Sequence, residues 1–113
     1  MAETVSEFTS YDISDGDEVG TAIAIGDLNT NPTIEIIFTG IKDAVLMQLE
    51  GSLDGGTTWA PITDYKGRAL AWALTRSRTI FESFGPIDGY THIRPALYTH
   101  GNELGTITTV KLN

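Results

Sequence analysis

The feature that most constrains the fold of this chain is a series of short β-prone segments separated by turn residues. The segments are rich in β-branched and aromatic residues, partly alternate between apolar and polar positions, and end at Gly, Asn, Asp or Pro. They cover residues 22–25, 33–39, 45–50, 79–84, 92–98 and 106–112. No segment has the length and period of a convincing helix. Several short strands with turns between them predict an antiparallel β-sandwich or a small barrel.

Two segments complicate this prediction. Residues 68–75 contain good helix formers, but Leu70, Trp72 and Leu74 alternate as they would in a strand. We predict a strand or a connecting turn of helix there, with Trp72 in the core. Pro95 lies inside an otherwise strong strand and removes one ladder donor, which predicts a sheet edge or a β-bulge at that position.

The size and composition of the chain limit it to one domain. Its 113 residues are 41% hydrophobic and 19% charged, which provides apolar area for one core. The length excludes an eight-stranded α/β barrel and a doubly wound dinucleotide-binding fold. The absence of cysteine excludes a disulfide framework and cysteine-ligated zinc. The predicted fold class is all-β: a single antiparallel β-sandwich, jelly-roll or Ig-like, with an extended N-terminal arm.

The first 18 residues differ from the rest of the chain because they are polar, acidic and weakly periodic. Their bulky residues are Val5, Phe8, Tyr11 and Ile13. A segment of this kind frays unless something holds it, and an edge pairing or a neighbouring subunit would do so. We therefore predict an acidic arm or edge segment at residues 1–18 and the β-sandwich at residues 19–113. The N-terminus has neither a basic start nor a long apolar run, so we expect no secretory signal and synthesis in the cytoplasm.

The charge of the chain is strongly polarised. The formal net charge is -8, and eight acidic residues precede the first basic residue, Lys42. An excess of acid repels phosphate groups, so we expect neither nucleic acid nor an anionic membrane as a partner. Four of the seven basic residues then lie within residues 66–78. This basic cluster is either a solvated face paired with the chain's own acids or a docking patch for the acidic N-terminal segment of a neighbouring copy. The candidate interface residues are Phe8, Tyr11, Lys66, Arg68, Arg76 and Arg78.

The most specific local motif is the turn at residues 52–59, which reads S-L-D-G-G-T-T-W and matches the Asp-box signature S-x-D-x-G-x-T-W. In such a turn the aspartate accepts hydrogen bonds from turn amides, the glycines supply unusual φ angles, and the tryptophan covers the hairpin. A propeller needs several blades of about 40 residues each, which one copy cannot provide. We therefore predict a structural hairpin built by Ser52, Asp54, Gly56, Thr58 and Trp59.

No pattern in the sequence indicates catalysis, a cofactor or a metal. Residues 12–18 contain closely spaced carboxylates, but Gly16 comes too early for an EF-hand and no glutamate closes the loop, so a solvated acidic turn is favoured. His92 and His100 are the only histidines, and no third ligand completes a zinc site. A nucleophile elbow, a phosphate-binding loop and a dinucleotide fingerprint are all absent. We expect a protein that is not an enzyme.

Three segments, taken together, resemble small β-sandwich virion proteins of tailed bacteriophages. They read LEGSLDGGTTWAPI at residues 49–62, GYTHIRPAL at residues 89–97 and GTITTVKL at residues 105–112. Their order is more specific than any one of them, and together they span roughly the C-terminal two thirds of the chain. The resemblance implies a capsid decoration, or cement, protein. Such a protein oligomerises on the capsid exterior of the virion, bridges major capsid protein subunits and stabilises the shell; it is a trimer if its sites lie on local three-fold axes.

Two alternatives to this function stay open. Similar sandwiches also serve as tail or neck components. A glycan-binding module would use Trp59, Tyr65, Trp72 or Tyr90, because aromatic faces stack on sugars. Burial of both tryptophans would contradict that alternative, whereas a cleft with two facing carboxylates would favour an enzyme.

Overall fold

The computed structural model describes residues 4–5, 8, 10–28, 32–41, 44–63, 67–75, 78–83, 89–99 and 104–113. Within these residues the chain forms eleven strands, and two 3₁₀ turns lie at Ile13–Asp15 and Ile25–Asp27. The strands are β1 (Thr4–Val5), β2 (Tyr11–Asp12), β3 (Glu18–Val19), β4 (Ile23–Ala24), β5 (Thr33–Thr39), β6 (Val45–Ser52), β7 (Ala60–Pro61), β8 (Ala71–Leu74), β9 (Arg78–Ser83), β10 (His92–Tyr98) and β11 (Thr106–Leu112). In the described part of the chain, no helix has the length and apolar character needed to cross a membrane.

The strands form two antiparallel sheets that pack as a β-sandwich, which confirms the predicted fold class. In the first sheet the order is β1-β11-β5-β9, and β2 also pairs with β11. In the second sheet the order is β3-β10-β6-β7; β4 also pairs with β10, and β8 also pairs with β6. The longest strands, β5, β6, β10 and β11, therefore occupy the middle of the two sheets.

The core lies between the sheets and follows the two-residue period of the central strands. In β5, Ile34, Ile36 and Phe38 are buried, while the residues between them are half-buried. In β6, Met47 and Leu49 are fully buried. Side chains on alternate positions of a strand point to opposite faces, so one face of each sheet forms the core and the other is available to carry a site.

The predicted strands agree with most of the observed ones. The bounds of β5, β10 and β11 match the predicted ranges, β6 extends to Ser52, and β9 begins at Arg78. The segment 22–25 is reduced to the two-residue β4, followed by a 3₁₀ turn. Trp72 lies in β8 and is buried, which confirms the prediction of a core tryptophan in a strand.

Pro95 does not lie at a sheet edge, but the register beside it shifts by one residue, as the alternative of a β-bulge predicts: residues 20–22 oppose residues 94–95, between the pairs Val19–Ala96 and Ile23–Ile93. Pro95 lies opposite Leu49 in β10, which has β6 on one side and β3 and β4 on the other. The Leu49 amide donates to Leu70, away from β10. Pro95 therefore faces Leu49 as a non-hydrogen-bonded pair, and its missing N–H points to the other side. There its carbonyl accepts from the Gly20 amide at 2.7 Å, in the gap between β3 and β4. The interruption between these two short strands is what accommodates the proline.

The described residues of the N-terminal segment pair with their own chain along one edge of the sandwich. In the first sheet, β1 and β2 pair with β11. In the second sheet, β3 and β4 pair with β10. Residues 4–5 and 11–12 are thus held at the edge of the first sheet by their own chain. We call this side of the sandwich the N-terminal edge.

The opposite side of the sandwich is formed by β8 of the second sheet and β9 of the first. The indole Nε1 of Trp72 in β8 donates to Oε2 of Glu82 in β9 at 3.0 Å, which joins the two sheets there. Among the described residues, β9 pairs only with β5. We call this side the β8/β9 edge.

Candidate functional site

The turn at residues 52–59 closes on its own side chains. Oδ1 of Asp54 accepts hydrogen bonds from the Ser52 hydroxyl at 2.8 Å and from the amides of Thr57 and Thr58 at 3.2 and 2.9 Å. The Ser52 hydroxyl oxygen in turn accepts from the Gly56 amide at 2.9 Å. The amide of Thr58 and the hydroxyls of Ser52 and Thr58 lower the pKa of Asp54 to about 2. Asp54 is therefore an ionised anchor of the turn at any ordinary pH.

Two glycines in this turn have backbone conformations that other residues rarely adopt. Gly55 has φ 77° and Gly56 has φ 100°. A residue with a Cβ would be strained at such angles. The pair of glycines lets the backbone bring the Thr57 and Thr58 amides onto Asp54.

Trp59 is held in place on two sides. Its indole Nε1 donates to the Gly56 carbonyl at 3.0 Å. The guanidinium carbon of Arg94, from β10, lies 4.2 Å from the centroid of its ring. This is the geometry of a cation–π contact, so the indole is both hydrogen-bonded at its edge and covered on one face. Trp59 is half-buried.

Arg94 is itself held by a buried carboxylate. Glu50 is 6% exposed, and its Oε1 accepts from Nε and Nη2 of Arg94 at 2.9 and 2.8 Å. Its Oε2 accepts from the Tyr98 hydroxyl at 2.5 Å. This hydrogen bond is the main reason why the pKa of Tyr98 is raised above 10.0. Both oxygens of the buried carboxylate are paired, which is what makes its burial tolerable.

The sequence did not reveal the pairing of Glu50 with Arg94. The two residues are 44 positions apart and oppose each other only because β6 and β10 are neighbours in register. An alternating strand pattern places both side chains on the outer face of a sheet, but it does not say which strands are neighbours. No signal in the sequence could have shown this contact before the sheet order was known.

The turn is also tied to the start of β10 through Thr91. The Gly55 amide donates to Oγ1 of Thr91 at 3.0 Å, and the Thr91 amide donates to the Ser52 carbonyl at 2.8 Å. With the Arg94 contacts, these bonds join residues 49–62 to residues 89–97. Residues 49–62 and residues 89–97 are therefore one structural unit.

A cleft of about 370 Å³ opens beside this unit. Gly51 forms part of its wall, and Tyr90 and Ile62 pack closely against it. A Cβ at this position would lie 2.5 Å from Cδ1 of Tyr90 and 2.6 Å from Cγ2 of Ile62. Only glycine lets the Tyr90 ring approach the strand so closely. The cleft is lined by Gly51, Leu53, Asp54, Thr58, Trp59, Ala60, Pro61 and Tyr90.

The aromatic residues proposed for glycan binding differ in their burial. Trp72 is buried in the core, with 9% exposed, while Trp59 and Tyr90 are half-buried and line the cleft. Tyr65 lies outside the described residues. The two tryptophans are therefore not both buried, so the condition that would contradict a glycan-binding module is not met.

The candidate interface residues also differ in their burial. Phe8 is 0% exposed and belongs to the core, which corrects its assignment to an interface because its side chain offers no surface to a partner. Tyr11 is half-buried, meets Phe8 edge to face at 5.6 Å between ring centroids, and donates to the Gly16 carbonyl at 2.6 Å. Arg68 is exposed at the β8/β9 edge. Lys66 and Arg76 lie outside the described residues; Arg78 begins β9, and its side chain is outside them as well.

The acidic turn at residues 12–18 surrounds Tyr11 on the N-terminal edge. Burial of the hydroxyl, followed by the charges of Glu18, Asp15, Asp17 and Asp12, raises the pKa of Tyr11 above 10.0. Among the described residues, no group of three or more His, Cys, Asp or Glu side chains could hold a metal ion.

Three of these carboxylates accept hydrogen bonds from their own chain; Glu18 accepts from the neighbouring Val19 amide at 3.0 Å. Asp12 accepts from the amide and hydroxyl of Ser14 at 2.9 and 2.8 Å, bonds that lower the pKa of Asp12. Asp17 accepts from the Thr99 amide at 2.7 Å, which fastens the turn beyond the end of β10. The acidic turn is therefore fixed to the sandwich with its charges grouped.

The histidines make no cluster in the described structure. Nδ1 of His92 lies 3.1 Å from Oγ1 of Thr91, at the start of β10. His100 lies outside the described residues. His92 is thus part of the structural unit formed by residues 49–62 and 89–97.

Comparison of the chain with models of known protein families, with curated proteins and with solved structures gives no match.

Proposed function

We propose that this protein is a structural virion protein of a tailed bacteriophage. In this role it is a decoration protein that binds the outer capsid surface as a homo-oligomer, bridges major capsid protein subunits and stabilises the shell. The sequence resemblance suggests the class. The structural observation that supports the proposal is the difference in charge between the two edges of the sandwich: the N-terminal edge is acidic, and the β8/β9 edge carries basic residues.

The N-terminal edge carries a concentrated negative charge. Asp12, Asp15, Asp17 and Glu18 are exposed, and all four act on the same hydroxyl, that of Tyr11. Carboxylates grouped in this way favour a basic partner surface and speed encounter with it.

The β8/β9 edge carries basic residues and a strand, β9, that pairs on one side only among the described residues. Arg68 is exposed beside β8, and the sequence places Arg78 at the first position of β9. Phe81 of β9 is 70% exposed. An edge strand of six residues with an exposed aromatic side chain is a template for association with another chain.

Opposite edges that complement each other favour association from head to tail. The acidic turn of one copy would meet the basic β8/β9 edge of the next, since neither edge complements itself as well as it complements the other. Contacts of this type close into rings when the rotation between copies allows it, and a trimer is one such ring. Many copies of a modest interface on a shell add up to a large stabilisation of the particle.

The polar groups of the turn support a structural role for it. Asp54 is used by Ser52 and by the turn amides, and both oxygens of Glu50 are used by Arg94 and Tyr98. These two carboxylates hold the fold together. The unit around the turn thus supplies a rigid platform on a small domain.

The proposal is tested with capsids of the phage that encodes the chain, prepared without this protein. We expect the purified protein to co-sediment with the capsids at a fixed number of copies and to raise the temperature at which they release DNA. Arg68→Glu should abolish self-association and weaken capsid binding, and a second reversal, Glu18→Lys, should restore both. Absence of the protein from virions, or its presence only in the tail fraction, would contradict the decoration role.

A further inference from the structure

We propose that the cleft between Trp59 and Tyr90 is a binding site for a neutral saccharide. The residues that line this cleft include neither Arg68 nor any residue of the acidic turn at residues 12–18. The proposal therefore stands or falls separately from the virion role.

Both aromatic rings are fixed before any ligand binds. Tyr90 lies against Gly51, where any Cβ would come within 2.5 Å of the ring. Trp59 is fixed by its hydrogen bond to Gly56 and by Arg94 at 4.2 Å. Rings that are already ordered lose little conformational freedom on binding, so their contact area contributes more fully to affinity.

The walls of the cleft match a molecule with an apolar face and a hydroxylated rim. A volume of about 370 Å³ is within the range of small-molecule sites, which are mostly apolar with a few placed polar groups. Trp59, Tyr90 and Pro61 provide the apolar walls, and Asp54 and Thr58 provide the polar groups. The C–H face of a sugar ring can pack on the aromatic walls while its hydroxyls donate to the carboxylate.

The charge of the cleft selects among sugars. The pKa of Asp54 is about 2, so its carboxylate stays ionised and acts as an acceptor. The hydrogen bonds from Ser52 and from the amides of Thr57 and Thr58 all go to Oδ1. Together with the net charge of -8, this carboxylate disfavours sialic and uronic acids and favours neutral sugars.

A proline-rich peptide is the main competitor for an aromatic cleft, and the structure disfavours it. Grooves of that kind bind the polyproline II helix between aromatic side chains, and the peptide carbonyls need donors. The indole N–H of Trp59 already donates to the Gly56 carbonyl. Stacking on a sugar does not need this donor.

The test is a titration of the ¹⁵N-labelled protein with neutral trisaccharides of glucose, galactose, mannose and N-acetylglucosamine. We expect at least one of them to shift the indole N–H signal of Trp59 and the amide signals of Leu53 and Tyr90. Signals of β9 should not move. A trisaccharide that carries a uronic acid should bind more weakly than its neutral counterpart.

Two variants locate the site, and one serves as a control. Tyr90→Leu should weaken binding about tenfold, because it removes one of the two stacking faces. Leu53→Glu changes a side chain that is 70% exposed, so the fold should persist while binding is lost. Phe81→Ala, equally exposed but on β9, should bind as the wild type does. Failure of all four neutral sugars, unchanged affinity in Leu53→Glu, or a preference for a proline-rich peptide would overturn the proposal.

Discussion

The two edges of this sandwich are built in contrasting ways. The N-terminal edge is covered by the four short strands β1 to β4, and Phe8 and Ile13 from this segment are buried in the core. The β8/β9 edge has no such cover among the described residues, and Phe81 there is 70% exposed. An uncovered edge strand presents unpaired backbone groups to other chains. The chain thus uses its own N-terminal segment to cover one edge, whereas no described segment covers the other.

The β8/β9 edge carries a charged residue that limits unspecific pairing with other strands. Glu82 in β9 accepts the hydrogen bond from Trp72, so a charged residue occupies the edge where the two sheets meet. Charged residues on edge strands are a common way to prevent unspecific pairing. A partner must therefore accommodate this carboxylate, which disfavours indiscriminate strand addition at this edge.

The largest expected effect contrasts two phenylalanines, one at each edge. Phe8→Ala should lower the free energy of unfolding by about 3–5 kcal/mol, because it leaves a cavity in the core. Phe81→Ala should change it by less than about 0.5 kcal/mol, because its side chain is largely in solvent. Urea denaturation of the two variants measures both values. Equal effects would show that the two edges are not built differently.

The burial of Phe8 also changes how the N-terminal segment can be tested. Deletion of residues 1–18 would remove Phe8 and Ile13 from the core and β1, β2 and the start of β3 from the sheets. Loss of capsid binding in such a deletion would reflect a damaged fold. Reversal of single exposed charges, such as Glu18→Lys, isolates the charge of the segment and leaves the core intact.

A smaller effect is expected at the contact that joins β8 to β9. Trp72→Phe keeps most of the buried ring but removes the hydrogen bond to Glu82, which should cost about 1–2 kcal/mol of unfolding free energy. Glu82→Gln keeps an oxygen acceptor and should cost less than half as much. Thermal unfolding of both variants gives the comparison. A larger loss in Glu82→Gln than in Trp72→Phe would mean that the carboxylate stabilises this edge by another contact.

The smallest effect is expected from the pH dependence of the N-terminal edge. Because the pKa of Tyr11 is raised above 10.0 in the folded protein, the folded state holds this proton more tightly than the unfolded state. Its contribution to stability is complete below pH 10 and is lost as the pH rises through the folded pKa. Tyr11→Phe should therefore lose less stability between pH 9 and 12 than the wild type does. Spectrophotometric titration of the tyrosines, with chemical denaturation at each pH, measures the effect.

A dependence on salt separates Tyr11 from Tyr98. Four carboxylates contribute to the shift of Tyr11, whereas the hydrogen bond to Glu50 is the main cause for Tyr98. Added salt screens charges near the surface. The pKa of Tyr11 should therefore fall with ionic strength more than that of Tyr98. A larger fall for Tyr98 would mean that the carboxylates of residues 12–18 do not surround the Tyr11 hydroxyl.

The long strands and the turn at residues 52–59 could be predicted from the sequence because their signals are local. Alternation over seven residues identifies β5, and the spacing of Ser52, Asp54 and Gly56 within one turn predicts its closure. The two-residue strands β1, β2 and β3 could not be predicted, whereas β4 lies inside the predicted segment 22–25. A period of two cannot be recognised in two residues, so these strands exist only through their pairing with β10 and β11.

The contacts between distant segments could not be predicted either. Glu50 and Arg94 meet only in the register of β6 and β10, and Pro95 is tolerated only because β3 and β4 leave a gap beside it. Phe8 has the same sequence context whether it forms a core or an interface. Its burial depends on the neighbours that the fold supplies.

Hydrogen exchange of the free and the capsid-bound protein tests most directly whether the β8/β9 edge is the surface used by a partner. In the free protein, the β9 amides that point away from β5 should exchange rapidly, while those of β11 are protected. On the capsid, exchange in β9 and in residues 12–18 should slow at least tenfold, because each edge then meets a neighbour. Unchanged exchange in β9, with new protection confined to the N-terminal edge or to the cleft, would contradict the account.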